Sequence, residues 1–371
     1  MSNYLINQIK PYINSEDLFF LKKTIQSTYV TEGKYTNNFE KKIRDKVGSK
    51  YSVAVNNWTS GLFCAIKSLN LKDNDEIIIP NFTFIACATS AVLANLRVVL
   101  CDVKIDTLCI DLEKAEKLIN KKTKAIMLVH MYGESCDIAK ALELKKKYNI
   151  KIIEDAAQSF CGKYNNKYLG TYGDVGGYSF YGNKLITTGE GGVLITNNYR
   201  YYKKTLALKN YGRLKKGTFK HNEIGYNFKF SDLNAALGLS QFRKLSWVIK
   251  KKKFINNYYR KRLSKIKSIN FTNPIKNSKP IYWFCTIVVK NRKKLQNFLK
   301  NKGIETRDFF YPLHRQKCFN YCNNIKNLDA KFPISDYIYK NGICLPSYPQ
   351  ITKRDLKLVV DKIFEFYDYR D

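Results

Sequence analysis

The chain's 371 residues leave room for two domains, or for one large domain with an appendage, and its 44% hydrophobic content fits a globular protein with an ordinary core. A total of 65 Lys and Arg against 31 Asp and Glu gives a net charge of +34, which invites a nucleic-acid or membrane-surface partner. The basic residues are spread along the whole chain, however, with no zinc-finger spacing, ribonucleoprotein motif or basic zipper, so the charge reads as biased composition and not as a dedicated nucleic-acid site. Ten scattered cysteines lack any Cys-x-x-Cys pair; they read as reduced side chains of a cytoplasmic protein and offer no metal site. The most apolar window, 82–100, is broken by Asn95 and Arg97 and reads as a buried helix plus a strand, not a membrane span. The first residues show no leader pattern.

In chain order, Ser15 is placed to cap a helix whose apolar face carries Leu18, Leu21 and Ile25, Gly33 ends the following turn, and 39–47 is a second helix. Alternation then sets in. Runs rich in Ile and Val at 51–55, 76–80, 97–101, 125–129 and 151–154 predict strands, separated by helical patterns at 59–69, 85–95, 111–119 and 138–148. That rhythm predicts βαβ units, hence a mostly parallel sheet flanked by helices. Two later strands are expected at 174–181 and 191–196. A long basic helix leads away from about residue 242, and beyond Pro274 and Pro280 come a strand at 281–289, a helix at 293–300 closed by Gly303, a strand at 341–346 and a helix at 353–367. The expected division is an N-terminal segment and large domain over 1–245, and a linking helix with a small α/β domain over 246–371.

Chemistry concentrates in two strings. Glu154-Asp155-Ala156-Ala157-Gln158 follows the apolar run 150–153, and Ser179-Phe180-Tyr181-Gly182-Asn183-Lys184 is followed by Thr187-Thr188-Gly189-Glu190-Gly191-Gly192. Singly, a lysine is usually a solvated surface group, an Asp after a strand a helix cap, and a Gly-rich run a turn. Their order is more informative. An acid at the carboxyl end of a buried strand, then a lysine on a loop, is what pyridoxal phosphate requires: the lysine forms the Schiff base, and the acid keeps the pyridine nitrogen protonated.

These strings, together with Gly173-Asp174, Gly225-Tyr226-Asn227 and Asn234-Ala235-Ala236 in the same order, resemble the DegT/DnrJ/EryC1/StrS family of pyridoxal phosphate-dependent nucleotide-sugar aminotransferases over nearly the whole chain. The lysine string and Phe310-Tyr311-Pro312-Leu313-His314-Arg315 are most similar to its perosamine synthase branch. The resemblance implies a fold-type I transferase. It implies amination of C4 of a nucleoside-diphosphate 4-keto-6-deoxyhexose with glutamate as donor, giving a perosamine- or viosamine-type sugar for glycan synthesis. It also implies a homodimer with shared active sites.

By the same resemblance, Lys184 and Asp155 are catalytic, Gln158 meets the ring's phenolic oxygen, and Ala157 and Phe84 lie against its two faces. Thr59, Ser60 and Ser179 hold the phosphate, Asn227 reaches the phosphate of the neighbouring subunit, and Tyr311, His314 and Arg315 line the sugar-nucleotide side. The chain departs from the family at Trp58, where Gly is usual, and at Gly61, where Ala is usual. Sugar dehydratases of the family carry His in place of the lysine, so Lys184 weighs against dehydration. Amination at C3, and a basic binding protein without catalysis, are the alternative readings.

Overall fold

The computed structural model describes residues 4–213 and 217–368. Helices α1 (Ser15–Gln26) and α2 (Lys34–Val47) lead into the alternating region: β1 (Tyr51–Val55), α3 (Trp58–Ser68), β2 (Glu76–Pro80), α4 (Ala86–Leu93), β3 (Arg97–Cys101), α5 (Leu112–Leu118), β4 (Thr123–Val129), α6 (Ile138–Tyr148) and β5 (Lys151–Asp155). A small hairpin, β6 (Lys163–Tyr164) and β7 (Lys167–Tyr168), precedes β8 (Val175–Ser179), β9 (Gly192–Thr196), α7 (Tyr199–Lys209) and the long α8 (Asp232–Leu263). The remainder comprises β10 (Ile269–Asn270), β11 (Ser278–Lys279), β12 (Cys285–Val289), α9 (Arg292–Asn301), β13 (Arg307–Asp308), β14 (Ile325–Lys326), α10 (Pro333–Asn341), β15 (Gly342–Leu345) and α11 (Lys353–Asp368).

The large sheet has the order β1-β9-β8-β5-β4-β2-β3-β14. Its run from β8 to β14 is parallel, and β9 alone is antiparallel to both neighbours. Ile77, Ile78 and Ile79 are all fully buried, as expected of a central parallel strand covered on both faces. Register fixes the geometry of the carboxyl edge. Val55 and Ser179 both pair with Gly192, and Asp155 pairs with Gly177, so β1, β5 and β8 end side by side there. A second, antiparallel sheet, β10-β12-β15-β13, shares a core with α8, α9 and α11 through Tyr259, Ile287, Leu295 and Val359.

Three local expectations differ from the structure. The cap of α1 is Asn14, not Ser15: its side chain accepts from the Glu16 N–H, while Asp17 accepts from the Asn14 N–H at 2.8 Å in a capping box. Buried Asp17 also receives Lys244 and Gln241, so the cap ties α1 to α8. Gly33 opens α2 instead of ending a turn, because Asp232 at the start of α8 accepts from the N–H groups of Gly33, Tyr35 and Thr36. Finally, the long basic helix begins ten residues earlier than residue 242: α8 starts at Asp232, and beyond it β14 returns to pair with β3 and β11 with β6.

One turn joins the two halves at close quarters. Gly133 has φ +100°, and a Cβ there would lie 1.6 Å from the Ile281 carbonyl oxygen. The approach is real contact: the Ile281 N–H donates to the Gly133 carbonyl at 3.2 Å, and the Trp283 N–H to that of Tyr132 at 3.2 Å. Gly133→Ala is expected to lower stability by about 2–4 kcal/mol, through positive φ and overlap together, and to be measured as a fall in the denaturant midpoint with unchanged m.

Candidate active site

Asp155 closes β5 at the carboxyl edge and is 5% exposed. Its Oδ1 accepts from the Trp58 indole Nε1 at 2.8 Å and the Ala157 N–H at 3.0 Å, and its Oδ2 accepts from the Cys87 thiol at 3.1 Å. Burial, and then the Asp155 charge, push the Cys87 thiol well above its ordinary range, so it stays protonated and donates. All three donors are neutral. They solvate the carboxylate without cancelling its charge, leaving that charge for a cation in the cavity.

Lys184 follows β8 on a turn in which its N–H donates to the Tyr181 carbonyl. Its Nζ lies 3.7 Å from the centroid of the Trp283 ring. Burial pulls the amine down to about 7; Asp155 opposes the fall and the Arg307 guanidinium deepens it. Trp283 is itself pinned. Its indole donates to the Asn183 carbonyl at 2.7 Å, and its carbonyl accepts from Lys252 Nζ at 2.7 Å. Lys252 is buried on α8, donates also to the Ser347 carbonyl at 2.5 Å, and is likewise pulled to about 7 by desolvation.

A cavity of about 950 Å³ opens over these groups. Of the sequence-predicted residues, Thr59, Ser60, Phe84, Asp155, Ala157, Gln158, Ser179, Lys184 and Tyr311 line it. Gln158 is oriented: its Oε1 accepts from the Tyr132 N–H at 2.7 Å, which turns the amide NH2 the other way, toward the Met131 sulfur. Thr59 and Ser60 stand in the first turn of α3, where N–H groups lack intrahelical partners. The Asn57 side chain caps the Ser60 N–H at 2.9 Å, and the Ser60 hydroxyl donates to Asn56 Oδ1 at 2.5 Å. Ser179 ends β8, and its hydroxyl accepts from the Tyr181 N–H at 3.3 Å. Phe84 is 53% exposed at the rim, with its ring 5.8 Å from Phe310.

Three residues lie off this wall. Asn227 is exposed and bridges to Asn210. His314 and Arg315 turn toward Asp336, at 3.5 Å from Nε2 and 2.8 Å from Nε, while Asn81 accepts from the His314 N–H at 2.9 Å. Burial lowers the His314 pKa, and Asp336 opposes.

Sequence reading missed Trp58 as a partner of Asp155, and missed Cys87, Trp283 and Arg307 altogether. Arg307 sits on β13, lines the cavity and lies 5.9 Å from the Phe284 ring. Nothing local in the sequence marks it, because a strand of two residues is too short to show a period.

The donor set fits pyridoxal phosphate. A buried anion closes β5, an amine of lowered pKa stands at the same cavity, a helix N-terminus faces in, and the buried Asn183 Oδ1 has no hydrogen-bond partner among the described residues. The Lys184 amine is protonated below about 7 and deprotonated above it. Labelling of the apo-protein with a small amine-reactive reagent, followed by peptide mass spectrometry, is therefore expected to rise through pH 7 at Lys184 and level off. Surface lysines should keep climbing toward about pH 10.4.

A family model described as the DegT/DnrJ/EryC1/StrS aminotransferase family matches residues 11–364. The GDP-perosamine synthase of Escherichia coli O157:H7 is 33% identical over 365 residues, covering 96% of this chain and 97% of that protein. The dTDP-3-amino-3,6-dideoxy-alpha-D-galactopyranose transaminase of Aneurinibacillus thermoaerophilus is 31% identical over 363 residues, covering 96% and 97%. Among solved structures, Helicobacter pylori PseC, an aminotransferase involved in the biosynthesis of pseudoaminic acid, matches with a TM-score of 0.92 at 24% identity, over 98% of this chain and 99% of that one. That likeness shows the α/β fold expected from the alternation of elements. The chain belongs to the DegT/DnrJ/EryC1/StrS family of pyridoxal phosphate-dependent sugar-nucleotide aminotransferases.

Proposed function

We propose that the protein moves the amino group of glutamate to C4 of a nucleoside-diphosphate 4-keto-6-deoxyhexose, giving a perosamine- or viosamine-type sugar for glycan synthesis. The observation that carries the reading is that Lys184, its amine pulled down to about 7, and the Asp155 carboxylate line one cavity of about 950 Å³. The perosamine synthase relative supports C4. The transaminase relative that forms a 3-amino sugar supports C3 amination as the second reading.

The cofactor, when bound, supplies an electron sink for the carbon that gains or loses nitrogen. Asp155 would hold the ring nitrogen, and Gln158, on the cavity wall, would meet the phenolic oxygen. Ala157 and Phe84 confine the ring, while Thr59, Ser60 and Ser179 face the phosphate. Lys184 Nζ moves the proton at the donor's α-carbon, a task suited to a group titrating near working pH. Tyr311 contributes to the sugar side directly, and His314 with Arg315 through the segment they brace against Asp336. Arg307 meets the anionic groups that both substrates carry. Asn227 serves the other subunit of a homodimer; exposed Phe219 and Ile224, on the same segment, support a covered face there. The positive charge favours capture of a nucleoside diphosphate.

Incubation with glutamate and GDP-4-keto-6-deoxymannose should yield a GDP-linked amino sugar, with NMR placing nitrogen at C4. Nitrogen at C3, or turnover of 3-keto substrates only, would favour the second reading. Asp155→Asn is expected to cut kcat by at least about a hundredfold. Arg307→Ala should raise KM for the sugar nucleotide about tenfold or more with a smaller change in kcat, as steady-state kinetics would reveal.

A further inference from the structure

Trp58 is the residue that the site's ordinary chemistry leaves unexplained. It opens α3 at the phosphate corner, yet its side chain is 5% exposed and runs inward. The surrounding chain is cut away to admit it. A Cβ at Gly61 would lie 2.4 Å from the indole, one at Gly177 would lie 2.1 Å from it, and one at Gly192 would lie 2.8 Å from the Trp58 Cα. Two glycines, Gly61 on α3 and Gly177 on β8, thus leave the slot that the flat indole fills, while Gly192 on β9 makes room for the Trp58 backbone. The slot aims Nε1 at Asp155 Oδ1.

The consequence lies in how the carboxylate's acceptor positions are shared. Each carboxylate oxygen accepts about two hydrogen bonds. Oδ1 takes Trp58 Nε1 and the Ala157 N–H, whereas Oδ2 takes the Cys87 thiol alone. Oδ2 is then the oxygen with a position left for a further donor. The carboxylate torsion of Asp is broad, and without the indole each oxygen would keep one donor, so the carboxylate plane would be less fixed and both sides would have a position left.

We propose that Trp58 is a positioning residue that acts through Asp155, locking the carboxylate so that Oδ2 receives the pyridine nitrogen of the cofactor. The proposal rests on the reading of Asp155 as the ring-nitrogen partner. A phenylalanine at 58 fills most of the slot but has no N–H, so it leaves Oδ1 one donor short in a buried place.

The test is a double-mutant cycle on the dissociation constant for pyridoxal phosphate, titrated without substrate: native, W58F, D155N and the pair. W58F alone is expected to raise the constant about tenfold, and to change it less than about twofold when Asp155 is already Asn. The same factor in both backgrounds would mean that Trp58 only packs, and would overturn the proposal; so would no change on W58F alone. D155N without effect would instead remove the reading of Asp155, and the proposal with it. If W58F does not fold, the native protein decides. Its three tryptophans give three indole N–H resonances, assigned with W247F and W283F. D155N must move the Trp58 signal in the apo-protein, and an unmoved signal refutes the contact.

Discussion

A buried carboxylate that is hydrogen-bonded but not ion-paired organises this molecule's chemical end. Asp155 meets an indole, a thiol and a main-chain amide, each of which lowers the cost of burial while leaving the negative charge intact. The cavity therefore has a fixed pole. Lys184 sits within its influence, yet desolvation still brings the amine down to about 7. The balance of these two terms keeps the lysine able both to give and to take a proton. An ion pair between them in a dry site would have held the lysine charged and inert.

The neighbour of Asp155 shows the alternative use of the same chemistry. Glu154 faces the other side of β5, as the two-residue period of a strand requires. It accepts from His130 Nε2 at 3.1 Å and from the N–H groups of Gly170, Tyr172 and Gly173. Burial alone would raise its pKa, but His130 and these donors outweigh that and lower it. Every direction around Glu154 is closed by the protein itself, so it anchors the 170–173 loop. Two adjacent acids on one strand thus divide into one enclosed by the protein and one left open to the cavity, by which face each occupies.

Much of this was legible in the chain. Strand and helix rhythm is local, and so is the placing of an acid at the end of an apolar run, which is why Asp155 and Lys184 stood out. What escaped was non-local. Trp58 reaches Asp155 across 97 positions, and Trp283 meets the Asn183 carbonyl across 100. Strands of two residues, such as β13 and β14, are too short to show a period, so neither Arg307 at the cavity nor the return of β14 to the large sheet left a trace. The segment around His314 and Arg315 matched a pattern, but a pattern does not reveal that Asp336 draws both side chains aside. The Trp58 and Gly61 departures looked like separate oddities in sequence. In space they are one exchange of volume between consecutive turns of α3.

Lys252 carries a consequence of another kind. It has lost the water that would favour its charge, and its two partners are the carbonyls of Trp283 and Ser347. An ammonium offers three protons and a neutral amine two, which is the number these carbonyls need. The clamp on Trp283 therefore holds whether or not the proton is present. The wall beneath Lys184 behaves as a mechanical fixture, indifferent to acidity, while the amine resting on it titrates.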